Sequence, residues 1–310
     1  MLKKAIIVAA VWAWPLAGAA AASIYNYDGS WVYHLYYSGW YSAERMGGDE
    51  AGLAIIIFGF DINENGLRGL DCLKLDQDGN ETGRDTVWRW PNVYSMCVLG
   101  VLNRPLGCIT TFYFQDESYS HYSSVLATPW GNLVEEGEDR FKCLAQPRSE
   151  SYYYCYRYYG GEYQMCKMVG LTVVAAFKPA ASIGCMACDD TGVVYTSGAN
   201  TITAYRDTGS IIRSWNSEVP NWDLTLDEQS RLLAEGEDGY TYIYSTTGSL
   251  WGRFKKRYGA YDDATTGPGG KYYVRVEHYF NPWAVTVYRF APSMTNIRPA
   301  SLGRIKAMFQ

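Results

Sequence analysis

The chain has 310 residues, with 27 Lys and Arg against 32 Asp and Glu, a formal net charge of -5 and a pI near 5.3. That balance lacks the basic footprint of a nucleic-acid binder and excludes nucleic acid as an expected partner. With 28 Tyr, 11 Trp and 10 Phe, and with 31 Gly and 11 Pro in no three-residue period, the composition is neither disordered nor collagenous.

Residues 1–22, MLKKAIIVAAVWAWPLAGAAAA, combine Lys3 and Lys4, an apolar run from Ala5 to Trp14, Pro15 and a tract of small residues. This is the three-part layout of a secretory signal peptide, with cleavage expected after Ala20 or Ala22. The apolar run is too short for a membrane anchor, and no Cys follows closely enough for a lipoprotein. Removing the two lysines leaves 25 basic against 32 acidic residues, a net charge of -7. No later segment reaches about 18 uninterrupted apolar residues. The expectation is a secreted, periplasmic or cell-surface protein with no transmembrane segment, its domain running over residues 23–298.

The next segment, IYNY-DG-SWVYHL (24–35), sets a pattern: aromatic-polar alternation, a turn ending in Gly, then a strand with an apolar pair. The turn Gly supplies positive φ, and alternation on both sides makes a half-buried hairpin. DINENGLRGLD (61–71) places Asp61, Asn63 and Asn65 before Gly66, an oxygen-rich spacing like a calcium loop, yet Cys72 stands where the bidentate Glu belongs. A polar turn between IIIFGF and CLKLD is the favoured reading over a calcium site, and no other cofactor is indicated. The hairpin pattern returns in CLKLDQ-DG-NETGRDTVW (72–88) and less distinctly in FYFQDESYSHYSSVL (112–126) and CYRYYGGEYQMCKMV (155–169).

All eight Cys lie beyond the leader, an even number that favours disulfides in an oxidising compartment. Hairpin arithmetic pairs Cys97 with Cys108 across the turn near Asn103–Gly107, and Cys143 with Cys155 across QPRSES. Both pairings depend on register, since a slip of one residue turns the side chains to opposite faces. For Cys185 and Cys188 in CMAC, haem attachment fails because Asp189 stands where His is needed, and a zinc half-site lacks a second ligand pair. A redox dithiol would sit at a helix start, whereas this context is strand-like. A structural disulfide, local or to Cys72 and Cys166, is the remaining reading.

From residue 183 the chain falls into rows. IGCMACDD-TG-VVYTSGAN-TITAYRD-TG-SIIRSW (183–215) is followed by a close repeat at 223–254 and a looser one at 262–298. Turn signatures near 29, 79, 118, 161, 209, 248 and 293 lie about 40 to 50 residues apart, the period of four-stranded propeller blades. The expected fold is an all-β propeller. Seven outer-hairpin signatures with six inner stretches give six blades, the N-terminal strand adding to the last blade and closing the ring; seven blades is the alternative. The row CDDTGVVYTSGANTITAYRDTGSIIRSW resembles a repeat of the NHL or related six-bladed propeller superfamily. That resemblance implies architecture. Members include glycan, protein and RNA binders beside a few metal-dependent lactonases and lyases, so it implies no particular activity.

Catalytic chemistry finds little to rest on. His34, His121 and His278 are expected on three different blades. Asp189, Asp190, Asp223, Asp262 and Asp263 recur near blade starts, where they either line a central channel as a metal site or cap turns. No aspartate box of the sialidase kind occurs. Stretches read as inter-blade loops pair Trp with Pro and Asn: RWPNVYS with Trp90 and Tyr94, ATPWGN with Trp130, and NSEVPNWD with Trp222. A rigid turn presenting a ring beside an amide suits a sugar or a peptide; such a ring equally plugs the gap between blades. The tail, PASLGRIKAMFQ (299–310), has Leu302, Ile305 and Met308 at helical spacing. It is read as a docked turn of helix or a sorting signal. The expected function is binding of an envelope protein or an extracellular glycan, with a metal-dependent hydrolase or lactonase working at the channel as the alternative.

Overall fold

Alternating apolar and polar residues between Gly-, Asp- and Ser-rich turns form strands wherever the computed structural model describes the chain. The described residues are 25–34, 40–48, 52–60, 68–90, 95–104, 107–115, 120–127, 133–137, 141–148, 150–255, 263–278 and 284–292. The leader, the tail and Asp61, Asn63 and Asn65 lie outside them.

Among these residues the chain begins with β1 (Tyr25–His34). Sheet I follows with β2 (Trp40–Gly48), β3 (Leu53–Phe60), β4 (Arg68–Leu75) and β5 (Glu81–Trp90). Sheet II has β6 (Ser95–Arg104), β7 (Gly107–Gln115), β8 (Ser120–Ala127) and β9 (Leu133–Gly137). Sheet III has β10 (Phe141–Ala145), β11 (Tyr153–Tyr159), β12 (Glu162–Val169) and β13 (Thr172–Phe177). Sheet IV has β14 (Cys185–Cys188), β15 (Val194–Gly198), β16 (Thr201–Tyr205) and β17 (Ile211–Asn216). Sheet V has β18 (Asn221–Leu226), β19 (Leu232–Gly236), β20 (Tyr240–Tyr244) and β21 (Leu250–Lys255). Sheet VI combines β22 (Asp263–Gly267), β23 (Lys271–His278) and β24 (Ala284–Pro292) with β1, which pairs antiparallel with β24. Each sheet is a four-stranded antiparallel meander, with β1 standing in as the fourth strand of sheet VI.

The first strands of successive sheets pack side by side, β2 on β6, β6 on β10, β10 on β14, β14 on β18, β18 on β22 and β22 on β2, which makes the arrangement a β-propeller. The first strands β14 and β22 are buried on both faces, while the fourth strands β13, β17 and β21 are mostly exposed. The cores therefore lie between sheets. Ile202, Ala204 and Tyr195 of sheet IV pack with Leu224, Leu232 and Tyr242 of sheet V, and Leu233 and Ile243 of sheet V with Tyr272 and Val274 of sheet VI.

One contact recurs at these junctions. Phe177 of β13 lies over Gly209, Trp215 of β17 over Gly248, and Trp31 of β1 over Gly79, each glycine in the turn between the third and fourth strands of the following sheet. Strand twist of about 20–25° per pair swings the end of one outer strand toward the next outer turn, which is why these parts meet. The same twist brings Tyr205 and Tyr244 to the connections, where their hydroxyls accept Ala180 N and Glu218 N at 3.1 Å. What joins sheet VI to sheet I is packing of this kind, β2 against β22 and the β1 rings against Gly79, with Tyr33 OH donating to Gly79 O.

Three sequence expectations need correction. Of the seven signatures, those at Gly79, Gly209 and Gly248 mark outer hairpins, but Gly161 turns β11 into β12, the segment near 118 joins β7 to β8, Gly29 lies inside β1 and 293 follows β24. The blade count drawn from those signatures, six or seven, therefore fails as a derivation. The Cys97–Cys108 pairing fails because Cys97 is opposite Tyr113 and Cys108 opposite Asn103, several residues apart along the ladder. Cys143 is opposite Tyr156 while Cys155 is opposite Leu144, and a bulge between Phe141 and Cys143 accompanies that offset, so the two side chains belong to opposite faces.

The ring-on-glycine contact is testable against an internal control. A Cβ at Gly248 (φ +88°) meets the Trp215 ring at 2.9 Å, whereas one at Gly239 (φ +80°) meets nothing within 4 Å. Equilibrium denaturation should show G239A costing about 1 kcal/mol from backbone strain alone, and G248A about 1–2 kcal/mol more. Equal losses would remove the ring contact from the argument.

Candidate binding face

The meander starts every first strand on the same face of the ring, so the connections between sheets gather there and the turns between first and second strands gather on the other. That other face is built of capped turns. Asp189 Oδ1 accepts Thr191 N (2.9 Å) and Val193 N (3.0 Å) while Oδ2 accepts Tyr195 OH (3.0 Å). Asp227 repeats the device, Oδ1 accepting Gln229 N (2.9 Å) and Arg231 N (2.8 Å). Its Oδ2 takes Arg231 Nε at 2.5 Å and Tyr25 OH at 2.9 Å, a buried ion pair bound to the first strand of the chain. A short polar side chain accepting N–H groups two and four residues on fixes the turn, and the spacing Asp-x-x-x-Arg was the available sequence signal for that pair.

The other blade-start carboxylates are similarly engaged. Asp190 accepts Arg148 N (2.8 Å), Asp223 accepts Leu224 N (2.8 Å), Asp263 accepts Met46 N from sheet I, and Asp262 lies outside the described residues. Among the described residues no three of His, Cys, Asp and Glu stand close enough to hold a metal ion. The histidines are not on three sheets: His34 and His278 sit in one row of sheet VI, each opposite Ala284 of β24, and His121 is in β8 of sheet II.

On the connection face Trp222 stands out, 49% exposed. It occupies a β-bulge: Asn221 is opposite Gly236 and Asp223 opposite Glu235, leaving Trp222 without a ladder position. A bulge re-aims a side chain, here out of an innermost strand. The backbone beneath is pinned. Ser217 N donates to Asn200 O (2.7 Å), Ser217 Oγ to Val219 O (2.7 Å), Glu237 N to Pro220 O (3.1 Å) and Asn221 Nδ2 to Ser197 Oγ (3.1 Å). The Asn221 amide is thereby turned inward and does not stand beside the ring as a ligand group. Beside it Asp238 accepts Tyr242 OH (2.6 Å), and the Arg253 guanidinium lies 4.5 Å from the centre of the Tyr240 ring.

The remaining candidates lie at the edge of the described residues or outside them. Trp90 ends β5 with only its backbone described, and Tyr94 lies outside the described residues. Trp130, also outside them, belongs to the segment joining β8 to β9 within sheet II, so ATPWGN is not a connection between sheets. Sequence reasoning missed the apolar rims of the outer strands, where Ile211, Ile212, Leu250 and Trp251 are exposed.

No family model matches the chain, and no curated protein matches it. Among solved structures it is similar to the WD40 β-propeller domain of Doa1, at 12% identity and a TM-score of 0.51, covering 87% of this chain and 97% of that one. It is also similar to Chaetomium thermophilum Raptor, at 8% identity and a TM-score of 0.50, covering 87% of this chain but 29% of Raptor. These likenesses establish the propeller fold.

The tyrosines between sheets give the fold a pH limit. Burial raises the Tyr272 hydroxyl well above its ordinary value, with the Glu235 carboxylate adding to it. Burial and Asp227 raise Tyr25, burial and Asp189 raise Tyr195, and burial pushes Tyr273 up to about 12. Unfolded tyrosines ionise near pH 10 while these stay neutral, so their contribution is fully present below about pH 10 and is lost as pH rises toward the folded values. Each raised tyrosine should remove about 1.4 kcal/mol per pH unit within that window. Absorbance at 295 nm should show a class of tyrosines ionising only as the protein unfolds; complete ionisation near pH 10 with circular dichroism unchanged would refute this.

Proposed function

We propose that the chain is an exported binding module that takes a protein partner on the face carrying the connections between sheets, with Trp222 as its anchor. The observation that carries the reading is Trp222 itself, a half-exposed indole on a bulge whose supporting connection is pinned by hydrogen bonds. A large ring held at low conformational cost is the kind of residue that dominates protein interfaces. The propeller fold supports it, because connections gathered at one face can vary without disturbing the cores between sheets. The leader-like residues 1–22 support export, and with it a partner in the cell envelope or outside the cell.

The test compares the wild-type protein with Trp222→Ala as baits against native envelope extract and a glycan array. The wild type should retain a protein that the variant binds at least about tenfold more weakly, a loss of about 1.4 kcal/mol or more, with both baits melting at the same temperature. Equal retention by both baits, or retention of glycan and no protein, would overturn the reading.

A further inference from the structure

We propose that Cys155 and Cys166 are a disulfide site, closing across the two central strands of sheet III when the chain folds in an oxidising compartment. The register carries the proposal. Gly160 and Gly161, at φ +61° and +92°, form the two-residue turn between β11 and β12, with Tyr159 opposite Glu162 and each earlier residue opposite one later. Paired positive φ values are the two-residue hairpin geometry that matches strand twist, so the ladder has no slack. Counting outward, Cys155 falls directly opposite Cys166.

Residues directly opposite on antiparallel strands have Cα atoms about 4.5 or 5.5 Å apart, inside the span of about 4.4–6.8 Å that a disulfide bridges. Both side chains lie on one face, buried with Tyr153 and Met168. Among the described residues no other two cysteines are opposite each other: Cys72 faces Ile56 and Asp85, Cys185 faces Ser197, Cys188 faces Val194, and Cys143 buries with Tyr154 and Tyr156 on the other face.

Oxidation joins the two sulfurs and releases two protons and two electrons. The acceptor is a disulfide donor such as oxidised glutathione, whose own S–S bond is cleaved into two thiols through a mixed disulfide. Burial, together with the adjacent Cys166 sulfur, raises the Cys155 thiol well above its ordinary value, which slows thiolate attack once the sheet is packed. The bond should therefore form during folding, before sheet III is covered by its neighbours.

The full chain, refolded from denaturant in a glutathione redox buffer, is alkylated and its peptides mapped without reduction. The expected result is one peptide pair linked through Cys155 and Cys166, and a melting temperature about 5–10 °C lower after reduction. The double variant C155V/C166V, which keeps the buried face apolar, should show no such drop. Alkylated Cys155 and Cys166 in the oxidised protein, a link from either to another cysteine, or the same reduction-dependent drop in the double variant would overturn the proposal.

Discussion

An aromatic ring lying on a turn glycine sets how closely neighbouring sheets approach. Buried faces are completed across the gaps between sheets: Leu232 and Ala234 by Ala187 and Ile202 across one, and Leu233 and Ile243 by Tyr272 and Phe290 across another. Dispersion and hydrophobic burial fall off steeply if such faces separate by even half an ångström. The outer ends need a contact that stops the sheets at the right distance, and a planar ring against a glycine without Cβ is the closest one available. Phe177, Trp215 and Trp31 each make it, and each glycine lies at positive φ, where any other residue would be strained as well as too large. These turn glycines are thus demanded from both sides, by their own backbone and by the ring above them.

This double demand explains what could be read without coordinates. The turns at Gly79, Gly209 and Gly248 repeat because the junction repeats, so the propeller was visible in the spacing of one turn type. The same chemistry misled elsewhere, since a turn glycine does not say which two strands it joins. Gly160 and Gly161 close the second hairpin of sheet III and not the third, and reading them as an outer turn hid the symmetrical placing of Cys155 and Cys166 about that turn. Cys143 and Cys155 were matched across a connection whose register a bulge had shifted, and no residue near Phe141 announces that bulge. Trp222 presents the same difficulty: its loop marked it as a candidate, but its exposure comes from a bulge, and the inward turn of Asn221 comes from a partner, Ser197, in another sheet.

The tyrosine content follows from the same architecture. Sheets in a ring pack through side chains and share no ladder, which leaves backbone groups on turns and connections facing the junctions, and groups of this kind must be paired when buried. Tyrosine reaches across. Tyr154 donates to Gly192 O and Tyr33 to Gly79 O, while Tyr205 and Tyr244 accept from Ala180 N and Glu218 N. Phenylalanine would fill the same volume and leave each of those groups orphaned. The aromatic load that in sequence suggests a ligand-stacking surface is for these rings the material of the junctions, and a ring whose hydroxyl holds a neighbouring backbone cannot turn to meet a ligand without opening the gap it closes. Trp222 is placed differently: it projects from an inner strand at a bulge, half exposed, above a connection that hydrogen bonds at Ser217 N, Glu218 N, Val219 O and Pro220 O hold in place.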